Sequence, residues 1–517
     1  MSKNRTFELK KAMNAFDEYV SKGYRTWDMA DHYANAERFV GSKEKETLTI
    51  MTKWCPPPGE MTKDVVEKAI QERLKRLRTD RLDLLQFHWW NYHDLRYLDA
   101  VRELKKMIPE RIRRLGVTNF DTAHLRILLS SGIPIVSNQV CFSLLDRRAE
   151  GQMSELCENT GVRLFAFGTL GGGLLTDRFL EKKEPKRGET ESLRKYLRFV
   201  KVGGGWKRLQ ALLRALRTVA DELDCDIAHV AAGWVLRQRA VASVIVGVRL
   251  GLSTRADANL DIVRVSNALT DAHLAIIDAA KMEPIPGDCG DEYRKPPFLT
   301  ATGDLSDHLV RGTDAAGSIR SSNDGHVRGV NSGTVWEEKY GYSRAVRAGD
   351  RIYVSGTTAT HRGFAVGTAS TRSSAKVIRR GATAESRHQE DDDECEPDAY
   401  AQAAFALDKV TAAVDALCRD DETAIVVRTR LIVPRLEKDW EGVANAHGRV
   451  FGDAEVPPSN TLVGGALVGK TNEYLVEIEA EAVVRQKSSS LWSRAIAAGG
   501  VAVAAAAMAM VIVRSRK

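Results

Sequence analysis

Apolar and polar positions alternate along this chain in two rhythms. Short, nearly continuous apolar runs fall at 24–30, 48–54, 82–89, 113–119, 133–140, 162–168 and 243–248. Between them lie stretches with apolar residues at helical spacing, such as 61–79, 97–107, 121–131 and 207–239, and a first helix is expected at 7–22, where Leu9, Met13, Phe16 and Val20 share a face. Strands apolar on both sides and separated by helices predict a parallel sheet covered on both faces. Seven such units are one short of the eight that close a (β/α)8 TIM-type barrel. The expected fold is α/β: such a barrel, over 1–285, lacking its first strand and so left with an unpaired edge.

Past Pro284 the periodicity stops. Residues 286–333 are rich in Pro, Gly, Ser, Asp and Asn and read as a flexible linker. A smaller α+β domain is expected at 334–487, with strands at 351–355, 424–433 and 473–484 and a helix at 398–418. Strict alternation in Tyr474–Val483 marks a half-buried antiparallel strand. An insert at about 368–397, ending in the acidic run Glu390 to Glu394, reads as a solvated loop.

The tail changes the picture again. Ala495 to Val513 is uncharged, follows Trp492 and Arg494, and precedes Arg514-Ser515-Arg516-Lys517. As a helix these roughly 19 residues would be about 28 Å long, close to the hydrocarbon thickness of a bilayer. The expectation is a single-pass C-terminal transmembrane anchor at 491–513, with the catalytic domains in the cytosol. The N-terminus leads straight into a helix and has no apolar signal core.

Composition adds exclusions rather than a function. The chain has 28% charged and 43% hydrophobic residues over 517 positions, so it can bury a sizeable core. Its net charge of +7 is spread along the chain without a basic stripe, which does not favour nucleic acid. The seven cysteines are scattered and form no C-x-x-C pair, which argues for reduced thiols and against a zinc site.

The strand ends carry the chemistry. Asp28, Lys53, His88, Thr118-Asn119 and Asn138-Gln139 each close an apolar run, and Tyr33 follows the first. Barrels place their sites at the C-terminal ends of the strands, so the recurrence weighs more than any one residue. A carboxylate, an ammonium, a phenol and an imidazole suit proton transfer to a carbonyl oxygen. A phenol, ordinarily titrating near about 10, needs a neighbouring cation to serve in such a role.

Seven ordered motifs, WDMADHY (27–33), TIMTKW (49–54), DLLQFH (83–88), LGVTNF (115–120), SNQV (137–140), FGTLGGGLL (167–175) and VGVR with TRADANL (246–260), closely resemble the aldo-keto reductase family. The resemblance covers about residues 7–285. It implies an oxidoreductase that reduces an aldehyde or ketone to an alcohol with NADPH rather than NADH. It also implies a catalytic tetrad at Asp28, Tyr33, Lys53 and His88, with Tyr33 as proton donor, Lys53 and Asp28 tuning it, and His88 orienting the carbonyl. By the same resemblance Thr118, Asn119 and Gln139 hold the carboxamide and Phe167 stacks on the nicotinamide. Gly168, Leu170, Gly171, Gly172, Gly173 and Gly247 let the backbone approach the dinucleotide. Arg249 and Arg255 meet the 2′-phosphate, where two guanidiniums suit NADPH, and Asn259 meets adenine. Relatives begin with a glycine-rich strand that this chain does not show.

The second half resembles the YjgF/Rid family of small, chorismate-mutase-like trimers that deaminate imines and enamines. The carrying residues are YSRAV (342–346), YVSGTT (353–358), NAHGRVFG (445–452), PPSNTLVG (457–464) and VEIEAEA (476–482). Asn460 stands where that family grips a carboxylate with arginine, while Glu477 is kept. An amide supplies no charge, so ligand binding or a homotrimer is expected here rather than deamination. The partners expected are a small carbonyl substrate, the membrane and further copies of this chain. The alternative reading is a non-catalytic nucleotide-sensing or scaffold protein with a degenerate barrel and degenerate Rid clefts.

Overall fold

The computed structural model describes residues 3–33, 35–44, 46–57, 59–89, 91–186, 190–248, 250–252, 255–294, 318–369, 396–467, 473–487 and 508–513. Strands β1 (Thr26–Asp28), β2 (Thr49–Trp54), β3 (Leu84–His88), β4 (Leu115–Thr118), β5 (Ile135–Cys141), β6 (Arg163–Phe167) and β7 (Val241–Val248) are all parallel neighbours in chain order. Helices cross over between them, as the alternation of apolar runs and helical faces requires.

Each strand sorts its side chains by period two. On β2 and β3, Met51 and Leu84 point into the barrel, where they form an inner cluster with Ile245, Val136, Phe165 and Phe167. Two residues along each strand, Lys53 and Gln86 share that inward direction at the C-terminal end. Trp27, one residue before Asp28, faces the other way and stacks on Phe16 of the first helix (Lys3–Ser21), ring centroids 4.2 Å apart. The apolar outer layer thus holds the strands while their last inward positions are free to be polar.

The expected unpaired edge is filled. A strand β17 (Met508–Val513) inserts between β1 and β7, antiparallel to both, and the barrel closes. Ala509 pairs with Asp28 and with Gly247, so the strand enters at the C-terminal ends of β1 and β7. This corrects the expected transmembrane helix at 491–513: its last six residues belong to the sheet, and 491–507 lie outside the described residues. No helix among the described residues is long and apolar enough to cross a membrane. The physical reason is ambiguity, because a short Ala/Val/Met run has no period that separates a buried strand from an apolar helix.

The helix expected over 207–239 is two helices, Gly205–Glu222 and Ile227–Arg237, broken where Asp224 takes a positive φ of 47°. The expected linker also divides differently. Its first part, through Arg294, packs on the barrel, where Asp288 Oδ2 accepts from Thr122 N at 2.9 Å and Glu292 is fully buried. Its last part forms β8 (Ser318–Ser321) and β9 (Val327–Asn331), a hairpin already in the second sheet. β8 is fully exposed and β9 buries only Val330, so no alternation announced them.

The second unit is α+β. After β8 and β9 come β10 (Ala345–Ala348), β11 (Arg351–Thr358), a small separate ribbon of β12 (Thr360–His361) and β13 (Phe364–Ala365), then β14 (Glu422–Val433), β15 (Ser459–Gly464) and β16 (Glu477–Gln486). The main sheet runs in the order β15-β14-β16-β11-β10-β9-β8. Helices Ala399–Ala416 and Leu436–Phe451 lie against it. On β16, Ile478, Ala480, Ala482 and Val484 are buried in strict alternation, as its sequence pattern predicts. The expected insert falls almost wholly outside the described residues.

Candidate active site

Neighbouring strand ends bring the predicted acid, lysine and histidine to one mouth. β1 ends in Asp28, β2 carries Lys53 next to Gln86 on β3, and β3 ends in His88 beside Thr118 of β4. Thr118 in turn neighbours Gln139 on β5, and Cys141 neighbours Phe167 on β6. Asp28, Lys53, His88, Thr118, Asn119 and Gln139 are all buried, while Tyr33 and Phe167 are half-buried.

Lys53 Nζ donates to Asp28 Oδ2 at 2.5 Å and to the Met29 carbonyl at 3.0 Å. It lies 5.2 Å from the Tyr33 ring centroid. Burial works against the Lys53 ammonium, but the Asp28 carboxylate outweighs it, with Tyr33 and Asp31 adding, and the pKa ends above the ordinary lysine value. A lysine kept charged beside a phenol is the arrangement that favours a tyrosine giving up its proton.

The other Asp28 oxygen, Oδ1, accepts from Gln86 Nε2 at 2.8 Å and from Gln139 Nε2 at 3.0 Å. Gln139 Nε2 also reaches Gln86 Oε1 at 2.8 Å. The carboxylate is therefore clamped from three strands, which pre-sets the lysine. Gln86 was not singled out in the sequence; its signal was a polar residue two before His88 inside an otherwise apolar strand. On the far side, Asn119 Nδ2 stands 3.2 Å from His88 Nε2.

Around this centre the residues fit a nicotinamide dinucleotide. Thr118 Oγ1 is buried at the mouth with no hydrogen-bond partner among the described residues, a polar atom that a carboxamide would satisfy. The glycine turn after β6 is built for close packing as much as for a ligand: a Cβ at Gly168 would strike Tyr196, and one at Gly171 would strike Leu145. Only Gly173, at φ 96°, opens onto free space. Leu170 precedes this turn and is half-buried. Gly247 lies on β7 beside Ala509, exposed, with room for a Cβ. Arg255 is exposed at the start of helix Ala256–Ala268, its backbone N–H bonded to Tyr19 Oη at 3.0 Å, and Asn259 sits one turn on. Arg249 lies outside the described residues.

A second buried cluster flanks the first. Cys141, Asp146 and Glu292 converge closely enough to suggest a metal, their ligand atoms within 4.8 Å of one another. The space is filled by cations of the chain itself: Arg148 Nη2 lies 2.6 Å from Asp146 and 2.7 Å from Glu292, and Lys195 Nζ lies 3.6 Å from Glu292. Burial pushes the Glu292 carboxyl up, yet Arg148 and then Lys195 overcome it and hold it at about 2. Lys195 Nζ also sits 5.3 Å from the Phe167 ring, one side of the expected stacking position.

The Aldo/keto reductase family matches residues 1–281. A chloroplastic pyridoxal reductase of Arabidopsis thaliana is 28% identical over 43% of this chain, which spans 65% of that protein's length. Protein tas of Escherichia coli is 29% identical over 48% of this chain and 76% of its own length. A YjgF/YER057c/UK114-family structure from Mycobacterium tuberculosis, 29% identical, covers 30% of this chain and 98% of itself at a TM-score of 0.21, too loose a superposition to define a shared fold.

Proposed function

The chain belongs to the aldo/keto reductase family, and on that premise we propose that it reduces a small aldehyde or ketone to an alcohol, using NADPH rather than NADH. The observation that supports this reading most is the buried Asp28–Lys53 pair directed at Tyr33 on a shared barrel mouth. When bound, the nicotinamide would supply the hydride. Everything else falls to side chains of this chain.

Thr118, Asn119 and Gln139 would hold the carboxamide and Phe167 would cover the ring. Gln139 would then exchange its bond to Asp28 for one to the cofactor. His88, held by Asn119, would hold the carbonyl oxygen by a hydrogen bond. As negative charge develops on that oxygen, Tyr33 would give it a proton. Lys53 would stabilise the phenolate left behind, and Asp28 would keep Lys53 charged and in place. The preference for NADPH rests on Arg255 together with Arg249 as anchors for a 2′-phosphate. Titration of the full-length protein with NADPH, followed by nicotinamide fluorescence, tests the proposal. Micromolar binding, followed by carbonyl-dependent consumption, is the expected result; absence of binding to both NADPH and NADH would overturn it.

For the second unit we propose association into a homotrimer or binding of a small metabolite, without deamination. One sheet face leaves Tyr353, Ile425 and Val427 exposed among Arg428, Arg430 and Glu479, a surface suited to self-association. Asn460 Oδ1 accepts from Thr429 Oγ1 at 3.3 Å and carries no charge for a carboxylate ligand. Light scattering of the full chain should give three times the monomer mass; a monomer would reject the trimer.

A further inference from the structure

The second unit is not simply appended; it holds the end of the strand that carries the expected carboxamide-binding residues. β4 ends at Thr118. Asn119 follows in a left-handed conformation, φ 56°, and Asp121 then caps helix Thr122–Ser130 by accepting from His124 N at 2.8 Å. Asp121 is buried, and both its oxygens are taken by partners that tie it to the other unit. Oδ1 also meets His124 Nδ1 at 2.6 Å, and His124 Nε2 reaches Asp408 of helix Ala399–Ala416 at 2.8 Å. Oδ2 accepts from Arg449 Nη2, of helix Leu436–Phe451, at 2.6 Å. The His124 ring is fixed by stacking on Tyr92, centroids 3.3 Å apart.

We infer that Arg449 and Asp408 are positioning residues for the cofactor: through Asp121 and His124 they fix the Thr118–Asn119 turn, and so set how tightly the nicotinamide end is held. The inference rests on the function proposed above. Its reasoning is geometric. A single peptide unit, Phe120, separates Asp121 from Asn119, and the Phe120 carbonyl is itself bound by Asn138 Nδ2 at 2.8 Å. Asn119 in turn reaches His88. A displacement of Asp121 therefore has little slack before it moves the residues expected to meet carboxamide and carbonyl. Charge-assisted bonds of this kind are strong enough for that role, and losing one from a buried carboxylate releases it to seek another partner.

Other contacts between the units provide the control. Arg126 Nε on the same helix donates to Asp398 Oδ2 at 2.6 Å and lies over the Tyr400 ring at 4.7 Å, so it joins the two units through Asp398. The experiment is an NADPH titration of full-length Arg449→Met, Asp408→Asn, Arg449→Lys and Arg126→Gln proteins, each with its melting temperature and steady-state kinetics. Arg449→Met and Asp408→Asn should weaken NADPH binding and raise its KM roughly tenfold, with kcat at saturating NADPH near the wild-type value. Arg449→Lys should recover part of the affinity. Arg126→Gln, which removes a partly exposed pair, should lower the melting temperature less and bind NADPH within about twofold of wild type. Affinities for Arg449→Met and Asp408→Asn equal to that of Arg126→Gln, or a collapse of kcat at saturating NADPH, would overturn the inference. A wild-type protein that binds no nicotinamide dinucleotide would instead overturn the functional reading on which it stands.

Discussion

Gln139 Nε2 lies 3.0 Å from Asp28 Oδ1, although the two residues are 111 positions apart. The barrel brings them together because β5 and β1 both end at the same mouth. The contact matters because Asp28 is the group that keeps Lys53 charged. It also makes Gln139 a switch point, since the same amide is expected to meet the cofactor.

Replacing Gln139 by Glu would set a second carboxylate against Asp28 in a buried site. Two such groups do not ionise together easily, so one of them should hold a proton into the neutral range. The acid limb of the pH–rate profile should move up by about one unit or more. An unmoved limb would mean that Gln139 and Asp28 are not in contact in solution.

Asp28→Asn should destabilise the fold by about 3–5 kcal/mol near neutral pH, because it strands a buried ammonium. Lys53 has its pKa raised in the folded protein, chiefly by Asp28 acting against burial. The pair's stabilisation is therefore complete below the ordinary lysine range and is lost only as pH climbs through the higher folded value. Denaturant melts of Asp28→Asn and of the double variant with Lys53→Met check this. The second change should restore much of what the first removes, and strictly additive losses would argue against a coupled pair.

The strand β17 carries its own prediction. It pairs with β7 along six residues, Met508 to Val513, and with β1 along three, Ala509 to Val511. Removing residues 487–517 should lower the melting temperature by roughly 3 °C or more, the shift that about 1 kcal/mol produces in a domain this size. Hydrogen exchange should also quicken in β1 and β7. A melting temperature and exchange pattern that ignore the deletion would leave the eighth position of the barrel unfilled by this strand.

His124 should make the union of the two units sensitive to pH. Desolvation lowers its pKa, but Asp121 and Asp408 outweigh that and raise it above the ordinary 6.5. Tyr92, Tyr97 and Arg449 also face this cluster, and Asp288 adjoins Asp121. The imidazolium's contribution is thus present in full below about pH 6.5 and fades as pH rises through the folded value. Melting temperatures of wild type and His124→Gln across roughly pH 6 to 9 should converge at the alkaline end. A constant gap between them would show that His124 is neutral throughout.

What could be read from the sequence follows what each signal depends on. The seven parallel strands were legible because each is a short, largely apolar run, and the first five carry polar residues toward the mouth; Asp28, Lys53 and His88 stood out for that reason. Gln86 has the same position on β3 but no charge to announce it. β17 was misread because an Ala/Val/Met run satisfies an apolar helix and a buried strand equally. β8 and β9 were absorbed into a linker because β8 is exposed and β9 buries a single residue, Val330. The Asp121–His124–Asp408 relay was out of reach altogether, since 284 residues separate His124 from Asp408 and neither departs from its local pattern.

The central claim is that Tyr33, poised by Lys53, protonates a carbonyl oxygen. The most direct test compares wild type with Tyr33→Phe, measuring NADPH affinity and single-turnover carbonyl reduction on the same preparations. Affinity should stay within about threefold while the reduction rate falls by roughly a hundredfold or more. A Tyr33→Phe protein that reduces its substrate at the wild-type rate would contradict the account.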